Sequence, residues 1–266
     1  MDGHRRRAAI AAVLLLVLAP SSGSAQVGRA STTSFDVALR LPARTSDRSY
    51  LNAAPKTGGQ AISPEILLGF RTMRENWEAR ADGRWLWRRS NVTGTNREQF
   101  FGAFELGPRW GATALVLDWQ PTHFYDADTH RELLEQQEVG LKLKHMTPMK
   151  IVGWSPVSLF VEASRVTTHP TFFSRNRLYA EAQWSVRRGA RTRIAWLVES
   201  GYAHYDNFFG KPRQDVTFGV RRTTRVDLGS GVSLALSIYG AAALSTHAQK
   251  SGVDFEVRPE LRWRFE

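Results

Sequence analysis

Residues 231–240 alternate strictly. Val232, Leu234, Leu236 and Ile238 fall on one face, and Ser233, Ala235, Ser237 and Tyr239 on the other. A period of two predicts a strand with one apolar and one polar side. The last segment repeats the pattern with charge. Val253, Phe255, Val257, Leu261, Trp263 and Phe265 face one way; Asp254, Glu256, Arg258, Glu260, Arg262 and Arg264 face the other. Six charges on one face need water or one another, because an unpaired charge in an apolar core is prohibitively costly. The same rhythm sets Phe35, Val37, Leu39 and Leu41 against Asp36 and Arg40. It sets Val139, Leu141 and Leu143 against Glu138, Lys142 and Lys144, and Val157, Leu159, Val161 and Ala163 against Phe160 and Glu162. Leu178, Ala180, Ala182, Trp184 and Val186 oppose Glu181 and Arg187, and Val216, Phe218 and Val220 oppose Asp215 and Arg221. Segments 98–106, 109–120 and 191–202 also read as strands, with their facing open.

Turn signals divide these runs. Asp82-Gly83 has the composition of a two-residue hairpin turn, and Gly107-Pro108, Arg188-Gly189-Ala190 and Asp227-Leu228-Gly229-Ser230 read as short connections. Longer polar stretches lie at 42–63, 91–97, 121–131, 168–175, 203–212 and 244–251. The prediction is twelve strands: 34–41, 64–81, 84–92, 98–106, 109–120, 132–146, 157–167, 176–188, 191–202, 213–224, 231–243 and 252–265. The second has a weak point at Arg74–Asn76. Short and long connections alternate, and only 147–156 is longer than its place implies.

Composition narrows the setting. The chain has 266 residues, no Cys, nine Trp and fourteen Phe. This excludes disulfide scaffolds, Cys-ligated zinc and thiol catalysis. So many large aromatics argue against disorder. At the start, His4-Arg5-Arg6-Arg7, the apolar run Ala8–Ala19 and the small residues Ser21–Ala25 form the three parts of a secretory signal peptide. The expected organisation is a signal peptide over 1–25 and one domain over 26–266. Removing three Arg and one Asp lowers the formal charge from +11 by 2, to about +9. No later stretch reaches eighteen apolar residues, so no membrane-spanning helix is expected.

Three features favour a membrane barrel over a soluble periplasmic β-sandwich, which also alternates. Many strands run eleven to fifteen residues, where globular strands average about five or six and a membrane crossing needs about nine to eleven. Trp77, Trp85, Trp87, Trp110, Trp119, Tyr202 and Trp263 lie near strand ends, where aromatic girdles form. The chain closes on Leu261-x-Trp263-x-Phe265. With the leader and the alternating strands, this resembles a bacterial outer-membrane β-barrel of porin type, although Glu266 follows the terminal aromatic. The resemblance implies an all-β antiparallel transmembrane barrel of about twelve strands, within ten to fourteen. It also implies short periplasmic turns and long external loops. Implied partners are outer-membrane lipids, lipopolysaccharide, the barrel-assembly machinery and small solutes.

If the apolar face meets lipid, the charged face lines the lumen. The expected lining is Asp36, Arg40, Arg71, Arg84, Arg88, Glu138, Lys142, Lys144, Glu162, Arg177, Glu181, Arg187, Asp215, Arg221, Asp254, Glu256, Arg258, Glu260, Arg262 and Arg264. Trp77, Trp85, Trp87, Trp119, Trp263 and Phe265 are the expected interfacial aromatics. Positive charge is in excess, and Arg or Lys rings lower the barrier to anions. The resulting expectation is a non-enzymatic small-solute channel with a mild anion preference and no cofactor. A barrel whose interior is braced shut by ion pairs, or that handles lipid, is the alternative, since twelve strands lie between filled and open barrels. Outer-membrane barrels that resemble lipid hydrolases carry a His two residues before a Ser, so that both point to one face of a strand, and no His-x-Ser occurs in this chain. His145-Met146-Thr147 is the nearest and reads as a turn. His123, Asp126, Asp128 and His130 share one predicted loop, and imidazole with carboxylate is chemistry suited to a divalent ion, but such residues collect in solvated loops without a metal, so none is expected. Asn91-Val92-Thr93 reads as loop. The Arg residues are spread along strands, not gathered on a recognition helix, so nucleic acid is not an expected partner.

Overall fold

The computed structural model describes residues 32–46, 59–90, 96–147 and 155–265. The expected leader over 1–25, residues 47–58, Asn91-Val92-Thr93 and residues 148–154 lie outside the described residues. The strands are β1 (Thr32–Arg40), β2 (Ala43–Ser46), β3 (Gly59–Ile62), β4 (Glu65–Met73), β5 (Trp77–Ser90), β6 (Arg97–Trp110), β7 (Thr113–Asp126), β8 (Glu132–Met146), β9 (Ser158–His169), β10 (Arg175–Arg188), β11 (Thr192–Phe208), β12 (Lys211–Gly229), β13 (Val232–Ser245) and β14 (Gly252–Phe265). Consecutive long strands pair antiparallel. β1 pairs with both β4 and β14, from Phe35 opposite Phe265 to Arg40 opposite Glu260, so the sheet closes on itself.

Fourteen strands make twelve staves. β2 continues β1 along β14, and β3 continues β4 along β5. Both breaks fall at proline. Pro42 and Pro64 have no N–H for the ladder, so pairing lapses for two residues and resumes. Their carbonyls still serve: Pro42 O accepts from Ser63 N–H at 2.9 Å and Pro64 O from Trp87 N–H at 3.0 Å. Pro259 sits opposite on β14, where its carbonyl accepts from Leu41 N–H at 3.1 Å.

The strand count agrees with the sequence pattern, but two predicted turns are strand interiors. Asp82 and Gly83 lie in the middle of β5, opposite Gly69 and Leu68 of β4 and Ala103 and Gly102 of β6. The chain turns instead at Arg74–Asn76. The reason is phase: Trp77, Ala79, Ala81, Gly83, Trp85 and Trp87 keep one facing through the pair, so no fold is needed there. Gly107 and Pro108 lie inside β6, and the turn comes at Gly111-Ala112, where Gly111 has φ +57°. A Cβ on Gly107 would stand 2.0 Å from the Leu115 carbonyl. That glycine serves a close strand approach, not a turn. Three expected loops shrink as well. β7 runs to Asp126, β9 to His169, and β11 and β12 extend through 203–212 to a two-residue turn at Phe209-Gly210. The 147–157 connection falls at the end of the barrel that carries the short turns.

Burial is inverted relative to a soluble sandwich. On β7, Val116 is 0% exposed and its neighbour Leu117 is 54% exposed; on β8, Glu138 is 3% and Val139 49%. Leu115, Leu141, Leu143, Val161, Phe218, Leu234, Leu236 and Phe255 are exposed, while Glu105, Asp118, Lys142 and Glu162 are buried. Only one face is enclosed, and it is the polar one. The sandwich alternative is therefore overturned, because it would bury the leucines. Leu141→Arg, in the middle of the outer belt, is expected to destabilise the barrel by about 2–4 kcal/mol in reversible unfolding from lipid vesicles. A change within about 0.5 kcal/mol, normal for a water-facing position, would remove the belt from the membrane.

Candidate functional site

The enclosed face carries the chemistry, and its two sides differ. On β5–β9 the ions are knotted together. Lys142 Nζ lies 2.7 Å from Glu105 Oε1, 3.3 Å from Glu162 Oε2 and 3.7 Å from Asp118 Oδ1. Lys144 Nζ donates to Glu105 Oε2 at 2.5 Å and to Glu78 Oε1 at 2.8 Å. Glu138 accepts from Ser164 Oγ at 2.6 Å and from Arg177 at 2.8 Å. Lys142 also stands 5.3 Å from the Phe160 ring centroid. Strand pairing brings these groups together: Lys142 is opposite Val116 and Glu162, and Glu105 is opposite Asp118. Four carboxylates share two ammonium groups, so each lysine is essential to its neighbours' charge balance.

Next around the ring, Glu199 on β11 accepts from Tyr179 Oη on β10 at 2.7 Å and from Tyr239 Oη on β13 at 2.6 Å. Tyr239 reaches Glu199 by crossing β12 at Gly219. A Cβ there would meet the Tyr239 hydroxyl at 2.8 Å and Glu199 Cγ at 2.9 Å. Glycine is thus required by the bridge that lies over it.

The remaining wall, from β12 through β14 and β1 to β5, is arginine-rich. Glu260 gathers Arg40 at 2.5 Å, Arg262 at 2.9 Å and Arg225 at 3.4 Å. Arg258 pairs with Glu256 at 2.5 Å, Arg44 with Asp254 at 2.9 Å and Arg264 with Asp36 at 3.0 Å. Arg71, Arg84 and Arg221 form no ion pair among the described residues. Arg84 lies instead over the Phe101 ring at 4.7 Å and Arg221 over Tyr239 at 4.9 Å. The buried Nε atoms of Arg84, Arg221, Arg225 and Arg258 have no hydrogen-bond partner among the described residues. A cavity of about 770 Å³ opens against this wall. Arg40, Arg71, Arg80, Arg84, Arg262 and Arg264 line it, against only Asp36 and Asp82 among acids.

At the opposite end from the short turns, aromatic rings join three hairpins. Phe172 and Phe209 have centroids 4.4 Å apart, Phe208 and His247 5.4 Å, and Arg213 stands 4.5 Å over both Tyr205 and Phe208 while pairing with Asp215. This cluster was hidden in the sequence, because 203–212 reads as polar loop.

By strand register, Arg40, Arg71, Arg84, Arg88, Glu138, Lys142, Lys144, Glu162, Glu181, Arg187, Asp215, Arg221, Glu256, Arg258, Glu260, Arg262 and Arg264 share the enclosed face. Arg187 lies there at an exposed strand end. Trp77, Trp85, Trp87, Trp119, Trp263 and Phe265 are on the outer face. Trp119 lies beside the exposed Leu117, where the apolar run of β7 gives way to Pro121 and His123. Sequence reasoning missed Glu65, Glu78, Arg80, Glu105, Asp118, Glu199 and Arg225. Glu105 and Asp118 sit where the misplaced turn left the facing open; the phase through Phe104 and Leu106 would have supplied it. The loop grouping of His123, Asp126, Asp128 and His130 does not form. Asp126 accepts from Thr129 and from the Asp128 backbone, Asp128 pairs with Arg89 at 3.1 Å, and His130 turns to Glu98 at 3.4 Å.

No protein-family model and no curated protein matches the chain. Solved structures do. An outer-membrane channel from Pseudomonas putida F1 is similar at a TM-score of 0.57 and 12% identity, over 93% of this chain and 99% of that one. The β domain of the Bordetella autotransporter BrkA is similar at 0.52 and 11%, over 88% and 100%. LpxR from Salmonella typhimurium is similar at 0.52 and 9%, over 86% and 99%. At these identities the likeness is one of fold: a closed outer-membrane β-barrel.

Glu105→Gln leaves Lys142 and Lys144 short of a shared counter-charge. Its expected effect is a loss of about 3 kcal/mol in the same unfolding assay, as for a broken buried pair. A loss below about 0.5 kcal/mol would mean that water already screens the knot.

Proposed function

We propose that the chain conducts small solutes across the bacterial outer membrane and prefers anions. The observation that carries this is the cavity whose charged lining consists of six arginines and two aspartates. It is polar, so it holds water, and its guanidinium groups exceed its carboxylates. A surplus of fixed positive charge in a low-dielectric wall raises the local concentration of anions and lowers their barrier to entry. On this reading the leader directs export and the assembly machinery inserts the barrel. Outer-membrane lipid and lipopolysaccharide then surround the apolar belt, with Trp77, Trp85, Trp87, Trp119, Trp263 and Phe265 toward its edges. The interior acts by field and shape, without catalysis. Thr113 Oγ1 and His145 Nδ1 lie 2.9 Å apart, but on the outer face, and among the described residues no third group orients the imidazole.

One observation favours a second reading. The lysine–carboxylate knot on β5–β9 fills part of the interior with paired ions and would brace a barrel that does not conduct.

Single-channel recording of the folded protein in a planar bilayer under a salt gradient decides between them. The expected result is stepwise current with a reversal potential of the anion-selective sign. Arg71→Glu combined with Arg84→Glu is expected to reduce the anion-to-cation permeability ratio by about threefold or more, since neither residue forms an ion pair among the described residues. Silence from protein that shows heat-modifiable gel migration would overturn the channel in favour of the braced barrel. Unchanged selectivity in the double variant would overturn the role of the arginine wall.

A further inference from the structure

On the outer face, near the end of the barrel away from the short turns, His123 of β7 meets Glu132 and Glu135 of β8. One ligand atom from each lies within 4.8 Å of the other two, and His123 Nδ1 is 2.8 Å from Glu132 Oε1. We propose that these three residues bind a divalent cation of the zinc or manganese type.

Three observations carry the site. First, its ligands stand on two paired strands, not in a loop. His123 and Glu135 are direct cross-strand partners, and Glu132 follows at the start of β8, opposite Tyr125. Ligands on a tetrahedral zinc, at about 2.1 Å each, are roughly 3.4 Å apart. The present spacing, from 2.8 Å to at most 4.8 Å, brackets that value. Second, the charge is unbalanced. The chain carries a formal +11, and most of its interior carboxylates meet Lys or Arg. Neither Glu132 nor Glu135 forms an ion pair with Lys or Arg among the described residues. Two like charges on one face repel, and a cation relieves this while the imidazole supplies a nitrogen ligand. Third, an outer shell fixes one ligand. Trp119 Nε1 donates to Gln137 Oε1 at 2.9 Å, and Gln137 Nε2 donates to Glu135 Oε1 at 3.2 Å. Such relays orient metal-binding carboxylates. The remaining coordination positions open outward, above the belt that begins at Trp119. A bound cation would tie the external ends of β7 and β8 together.

The test titrates zinc chloride into the folded chain in detergent by calorimetry, with thermal unfolding in parallel. Expected are one saturable site, a raised unfolding temperature, at least about tenfold weaker binding in Glu135→Gln, and loss of the site in His123→Ala. His130→Ala, which alters the separate His130–Glu98 contact, is expected to bind as the wild type does. Equal binding by wild type and His123→Ala would overturn the proposal, as would the absence of saturable binding to folded wild type. Folding of each variant is checked by gel migration before titration.

Discussion

Closure between β1 and β14 is the contact on which the rest depends. An open sheet of this length would present two edges of unpaired N–H and C=O groups, which no apolar medium can satisfy. Once Phe35–Arg40 lies against Glu260–Phe265, every stave has two neighbours and the sheet has an inside. Alternation then acquires its meaning. In a flat sheet the polar and apolar faces could both be wet; in a ring one of them is enclosed. The exposed leucines of β7, β8 and β13 and the buried Glu105, Asp118 and Glu162 follow from that single topological fact.

Enclosing the polar face creates an electrostatic problem, and the two walls solve it differently. On β5–β9, acids outnumber bases locally, and Lys142 and Lys144 are each shared between carboxylates. Removing one lysine would strand two or more charges, so this wall is stiff. On the opposite wall bases outnumber acids, and Arg71, Arg84 and Arg221 are held by stacking or left to solvent. A guanidinium tolerates this, because its charge is delocalised and weakly hydrated and its flat face packs on rings. The stiff wall and the permissive wall are therefore products of which base each uses. The cavity lies beside the permissive one.

The sequence disclosed parity far better than boundaries. Which residues of 231–240 or 252–265 share a face is fixed by a period of two and needs no partner. Where the chain turns is not, because Asp82-Gly83 and Gly107-Pro108 carry turn composition for other reasons. Asp82 is inward to meet Arg80 at 2.5 Å, and Gly107 is small because Leu115 passes close. Local composition cannot separate these uses from a turn; phase can, and the run from Trp77 to Trp87 held the information. Partner choice was less legible still. That Tyr239 spans Gly219 to reach Glu199, or that Lys142 meets Glu105, depends on cross-strand register, which a single strand does not encode.

The same distinction explains the histidines. A cluster in sequence, His123 to His130, invites a metal reading, yet the tight turn after β7 consumes Asp126 in local hydrogen bonds and turns His130 toward Glu98. Proximity along a hairpin tip favours turn formation, because short polar side chains reach their own backbone first. Ligands converge more readily across a strand pair, where the backbone is already satisfied by the ladder and side chains on one face stand about 5 Å apart. His123 therefore finds its carboxylates on β8, nine and twelve residues away. In a barrel, chemistry that needs several groups at one point is to be sought across neighbouring staves at equal height, on whichever face the charge is left unbalanced.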